Sequence, residues 1–176
     1  GVRQHMKRFL ALWVAVISIV VGLSSPAIAQ KWVRSSIKYT QGTDALTNGD
    51  YQKAADLLAQ AIQLDPELSR NHANYSAALY ELGRYAEGWP HARKAVLLDH
   101  ENRQAQNNSR RYIKKILADG GLNTGATLEQ VISVLGEPDS IGEQGECSWY
   151  QYGISALCFK DGVFASIGDM RWQPRR

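Results

Sequence analysis

Cysteine, methionine and proline are scarce: two, two and five in 176 residues. No CxxC pair exists, which excludes zinc ribbons and thioredoxin-type redox chemistry. HExxH, GxSxG and a phosphate-cradling glycine loop are also missing, so zinc-protease, serine-hydrolase and P-loop chemistry have no anchor. The four histidines (His5, His72, His91 and His100) have neither a paired carboxylate nor a metal-ligand spacing. Glu143 and Glu146 stand in a Gly-rich stretch without a partner. The expectation is a non-enzymatic chain with no metal and no cofactor.

Net charge is lacking too, once the front end is set aside. The formal value of +3 comes from Arg3, Lys7 and Arg8, and the remainder balances 17 cations against 17 acids. The basic pI therefore does not argue for a nucleic-acid partner. Charge is unevenly placed nonetheless. Arg103, Arg110, Arg111, Lys114 and Lys115 cluster, whereas residues 116–169 hold eight acids and Lys160 alone as a base.

A long apolar run is absent as well. Phe9–Val21 is 13 residues, short of the ~20 that a bilayer span needs. With Met6-Lys7-Arg8 before it and Ala27-Ile28-Ala29 after it, residues 6–29 read as a secretory signal, cut between Ala29 and Gln30. Gly1–His5 are read as tag or upstream residues. The expected mature chain is exported to the periplasm or an equivalent compartment and has no stable membrane span.

What the sequence does contain is a repeat. Aligned 34 residues apart, Gly49 matches Gly83, Tyr51 matches Tyr85, Ala61 matches Ala95, Leu64 matches Leu98 and Asp65 matches Asp99. Small residues recur in step, Gly42 with Ser76 and Ala54 with Gly88. Two antiparallel helices approach closely only where side chains are small. Gly49 and Gly83 suit the left-handed residue that ends a helix. Units are expected at 35–68 and 69–102. Pro90 falls inside the second helix of the second unit, and Pro66 stops that of the first. Residues 103–118 carry Tyr112, Ile113, Ile116 and Leu117 at helical spacing, a capping helix with a basic outer face.

From residue 121 to 170 the pattern changes. Thr127 and Gln130 are spaced as a capping box, Leu128, Val131, Ile132 and Leu135 form one face, and Gly136 and Pro138 stop the helix. Strand-like runs follow at 147–152, 156–160 and 163–169, the last two joined by the hairpin signal Lys160-Asp161-Gly162-Val163. The expected fold class is α+β in several parts: all-α hairpins with a cap, then a helix with a three-stranded antiparallel sheet. Cys147 and Cys158 fall in the first two strands. A Tyr152–Gly153 turn sets them opposite each other, and a longer turn around Gly153–Ser155 sends them to opposite faces. Export and an even count favour a disulfide.

The 34-residue unit resembles the tetratricopeptide repeat. The likeness implies paired helices whose first members line a concave groove for a protein or peptide. Carried over, the groove positions are Tyr39, Thr43, Arg70, Asn74, Ala77, Tyr80, Asn107 and Arg111, with Asn74 as a backbone clamp. The subfamily that grips C-terminal carboxylates uses Lys, Asn and Arg where this chain has Tyr39, Thr43, Gln104 and Asn108. That specificity is not expected here.

Gly125, Thr127, Val131, Leu135, Gly136, Pro138, Trp149, Phe159 and Gly162 resemble the SmpA/OmlA group of small envelope proteins, which includes BamE. That likeness implies a contact with outer-membrane assembly machinery, although the lipid-acceptor cysteine of the group is missing. The leading expectation is an envelope adaptor binding through the groove. The alternatives are an assembly factor acting through the small module, and a binder or inhibitor of an envelope enzyme.

Overall fold

Three glycines decide where the helical chain turns. The computed structural model describes residues 26–169, so most of the expected signal segment lies outside the described residues. The helices are α1 (Pro26–Thr47), α2 (Tyr51–Leu64), α3 (Ser69–Glu81), α4 (Tyr85–Leu98) and α5 (Arg103–Asp119). Gly49, Gly83 and Gly121 have φ of +79°, +72° and +66°. Beyond each, the chain folds back on two bonds of one pattern, such as Asp50 N–H to Ala45 O and Gly49 N–H to Leu46 O, which satisfy the last carbonyls of the helix. An alanine at these positions meets no neighbour but must adopt the strained backbone.

The repeat persists down to single hydrogen bonds. Ser35 Oγ donates to Ala61 O at 3.1 Å, and 34 residues later Ser69 Oγ donates to Ala95 O at 2.8 Å. Asp65 and Asp99 each accept from the backbone N–H two residues on. Hairpins α1/α2 and α3/α4 stack in order, and α5 packs on α3 and α4. The small-residue positions serve two different contacts. A Cβ on Gly42 would lie 2.6 Å from Leu58 Cγ, so Gly42 permits the α1/α2 crossing. A Cβ on Gly88 would lie 1.7 Å from Tyr112 Oη: this site receives the tyrosine of α5, whose hydroxyl donates to Ser76 O at 2.7 Å.

The second part begins with α6 (Leu128–Leu135), opened by the full Thr127/Gln130 capping box and closed at Gly136, φ +77°. The sheet has four antiparallel strands in sequence order: β1 (Ser140–Gln144), β2 (Cys147–Tyr152), β3 (Ser155–Lys160) and β4 (Val163–Asp169). The strand beyond the expected three is β1, which contains Glu143; Glu146 lies in the turn after it and, against the expectation that it has no partner, accepts from Lys160 Nζ at 2.8 Å. Strand β1 is a solvent-facing edge with Gly142 inside it and no buried residue, so the period-2 apolar signal is missing. Asp161 and Gly162 both have positive φ, as a two-residue hairpin turn requires.

Cys147 and Cys158 form a disulfide, Cα–Cα 5.2 Å. Neither expected register holds. The turn is Gly153–Ile154, which pairs Trp149 with Cys158 and leaves Cys147 diagonal to Cys158 on the same face. Cross-strand diagonals stay within reach of each other. A bridge closing so short a loop stabilises by about 2–3 kcal/mol.

One apolar cluster runs through both parts. Trp89, Ala92, Tyr112, Ile113 and Leu117 from the helices pack with Val131, Leu135, Tyr152, Leu157, Phe159 and Phe164. Polar ties close its edge: Trp89 Nε1 donates to Leu135 O at 2.9 Å, and Arg93 Nε to Asp139 Oδ1 at 2.7 Å. Asp139 also accepts from Gly153 N–H. The α6/sheet part thus closes the end of the helical stack, with α5 between them.

Candidate functional site

Helices α1, α3 and α5 lie side by side, and the sequence-predicted groove residues fall on them in three clusters. At one end the Arg70 guanidinium sits 4.7 Å from the Tyr39 ring centre. In the middle, Asn74 Nδ2 donates to Thr43 Oγ1 at 2.8 Å, and Gln104 Nε2 donates to Asn74 Oδ1 at 2.5 Å. At the other end Arg111 lies 3.9 Å over the Tyr80 ring and pairs with Glu81 at 2.9 Å. Ala77 is half-buried between the middle and this end, and exposed Asn107 accepts from Arg110 Nη1 at 3.3 Å.

Asn74 differs from the expected backbone clamp. It is 2 % exposed, and both ends of its carboxamide are already engaged by neighbouring helices, so it ties α1, α3 and α5 together. Gln104, its partner, was noted in the sequence only as a departure from the carboxylate-gripping pattern. Asn108, the other such departure, is buried and donates to Ala73 O at 2.8 Å. The exposed polar groups among the expected groove residues include the two arginines, each flattened on a tyrosine and Arg111 also paired with Glu81, and Asn107. Such stacking holds a guanidinium in place while leaving N–H edges for acceptors. Among the described residues no group of three His, Cys, Asp or Glu could hold a metal ion.

A histidine pair lies away from this face, at the α3/α4 crossing. His72 Nε2 is 2.8 Å from Pro66 O, and its Nδ1 is 2.8 Å from His91 Nδ1. A carbonyl only accepts, so Nε2 carries the His72 proton, Nδ1 is the acceptor, and His91 Nδ1 donates. Burial favours the neutral form of both rings, and this bonding pattern is the one that neutral rings make. The spacing of His72 from His91 gives no sequence signal of contact. Burial pushes both imidazoles below their ordinary value. His91 falls to about 4, with His72 and Lys94 also lowering it against Glu87; at His72, the Pro66 carbonyl and Glu67 oppose burial.

A folded-state value below the ordinary ~6.5 means that the unfolded chain binds the proton more readily. The stability contributed by the neutral pair is therefore complete above about pH 6.5 and is lost as pH falls toward 4. The whole window corresponds to roughly 2–3 kcal/mol, after allowance for partial exposure of His91. Urea unfolding at neutral pH and near the lower limit measures it, and His91→Asn should flatten the dependence.

Residues 45–88 match the family model of the tetratricopeptide repeat. A solved structure, the Arabidopsis OM64 TPR domain, is similar at 19 % identity, over 58 % of this chain and 78 % of that chain, with a TM-score of 0.48. No curated protein matches the sequence. The matched stretch runs from the end of α1 to the start of α4, so the family likeness covers the centre of the helical stack, and the sheet lies at the end of that stack.

Proposed function

We propose that this protein is a non-enzymatic adaptor of the cell envelope that holds an extended segment of a protein partner along α1, α3 and α5. The observation that carries the reading is the pair of arginines at the two ends of one helical face, Arg70 on Tyr39 and Arg111 on Tyr80, with Thr43 and Ala77 between them. An extended peptide offers carbonyls and acidic side chains, acceptors that suit two fixed guanidinium edges. The Phe9–Val21 run and the oxidised Cys147–Cys158 pair support export.

Arg70→Ala combined with Arg111→Ala should weaken capture of envelope partners roughly tenfold or more, because two charge-assisted contacts of about 1 kcal/mol each are lost. The melting temperature should stay near wild type, since both side chains are exposed. Asn74→Ala behaves differently: it leaves Thr43 and Gln104 unpaired and lowers stability. Undiminished capture by the double variant sinks the groove reading. Retention of outer-membrane assembly components by that variant would instead favour a role of the SmpA/OmlA kind through α6 and the sheet.

A further inference from the structure

The first helix outlasts its partner: α1 has 22 residues and α2 has 14. Its front half is exposed and apolar on one side, with Trp32 at 62 %, Val33 at 59 % and Ile37 at 50 % exposure. Together with Ser36, Thr40 and Gln41 these residues line a shallow depression. Ile37 and Thr40 hold the repeat positions that Asn71 and Asn74 hold one unit later, where both asparagines are buried against α1 and α2. The outer side of α1 is thus a stacking face on which none of the described residues stacks. Terminal units of such stacks ordinarily finish with a polar outer face, whereas this one finishes with tryptophan, valine and isoleucine.

Charge selects the occupant. Lys31, Arg34 and Lys38 lie on the other side of the helix from the apolar patch, and no acid precedes Asp44. None of the three cations forms an ion pair among the described residues. A second copy docked head to head would cover the apolar patch but bring no acid from the front half of its own α1 to these cations. A surface both apolar and negative satisfies the two requirements together. Tryptophan favours the boundary between headgroups and acyl chains, and a helix with basic residues flanking an apolar side lies in that plane. We infer that the front half of α1 is an interfacial helix that seats the stack on an anionic phospholipid surface, with Trp32, Val33 and Ile37 toward the acyl chains and the long Lys31, Arg34 and Lys38 side chains reaching the headgroups from its polar side. The contact is peripheral and separate from the peptide-binding face.

Both cysteines are in the disulfide, so one introduced thiol can be labelled alone. The full chain carrying Ser36→Cys and an environment-sensitive fluorophore is mixed with vesicles of phosphatidylcholine, or of phosphatidylcholine with one-third phosphatidylglycerol. Phe9–Val21, Lys7 and Arg8 are common to every variant, so the change in anionic preference on removing the α1 cations reads α1. The label should shift to the blue with the anionic vesicles, be quenched by brominated lipid, and return to its aqueous spectrum at high salt. Replacing Lys31, Arg34 and Lys38 by glutamine should reduce the anionic preference at least tenfold, from roughly fivefold per cation, with far-UV circular dichroism unchanged. A label that stays aqueous with anionic vesicles overturns the inference. So does a blue shift that appears without lipid and grows with protein concentration, which would assign the face to a second copy.

Discussion

Gly88→Ala should lower stability by about 3–5 kcal/mol, as much as truncating a large core side chain. The added methyl would stand 1.7 Å from Tyr112 Oη, 2.5 Å from Cζ and 3.0 Å from Cε1. A flexible side chain could swing clear, but Tyr112 is wholly buried and edged by Tyr80, Tyr85 and Trp89. Moving it also breaks the hydroxyl bond to Ser76 O, leaving a buried acceptor unpaired. Gly83→Ala provides the comparison: nothing crowds its Cβ, and only the left-handed backbone is strained, for about 1 kcal/mol. Urea unfolding followed by circular dichroism separates the two. Equal losses for both variants would mean that Tyr112 does not occupy the notch that Gly88 leaves.

Removal of everything after Gly120 should abolish cooperative folding of the helical part. The cut takes away Val131, Leu135, Tyr152, Leu157, Phe159 and Phe164, which cover Trp89, Tyr112, Ile113 and Leu117. Burial of each large apolar side chain is worth about 1.5–3 kcal/mol, so the several left bare match the whole stability of a domain this size. Trp89 Nε1 and Arg93 lose their partners as well. The shortened chain is expected to show a broad, shallow melt and bind hydrophobic dye. A sharp transition at the full-length temperature would falsify the shared-core account. A truncation of this kind therefore cannot serve as a binding test, since it removes the fold together with the module.

The sequence discloses what is encoded within a few residues. The 34-residue period, the turns at Gly49 and Gly83, the Thr127/Gln130 box and the Asp161-Gly162 hairpin all depend on a residue and its near neighbours. Every one of them is present. What stayed hidden involves partners far along the chain. The smallness of Gly88 is visible, but its purpose is a tyrosine 24 positions later on another helix. Asn74 is legible as a groove position, yet Gln104 and Thr43 consume its carboxamide. The β2/β3 register hung on a single turn residue, and only the packed sheet fixes it at Gly153–Ile154. Strand β1 eluded the pattern because an exposed edge needs no apolar alternation. The His72–His91 contact had no signature at all.

The position of Phe164 has a consequence for synthesis. Its backbone N–H and C=O bond to Ala126 O and Gly125 N–H, and its ring enters the cluster that holds Trp89. The ribosome makes Trp89 75 residues earlier. Helical hairpins can form one after another as a chain emerges, but this stack cannot close until its closing strand has been delivered. During that interval Trp89, Tyr112 and Leu117 form an open, adhesive end, which a holdase or a translocation channel would have to shield. Folding is thus gated by the delivery of β4: a stalled or clipped product ending just before Phe164 would lose its grip on helices that had been finished long before.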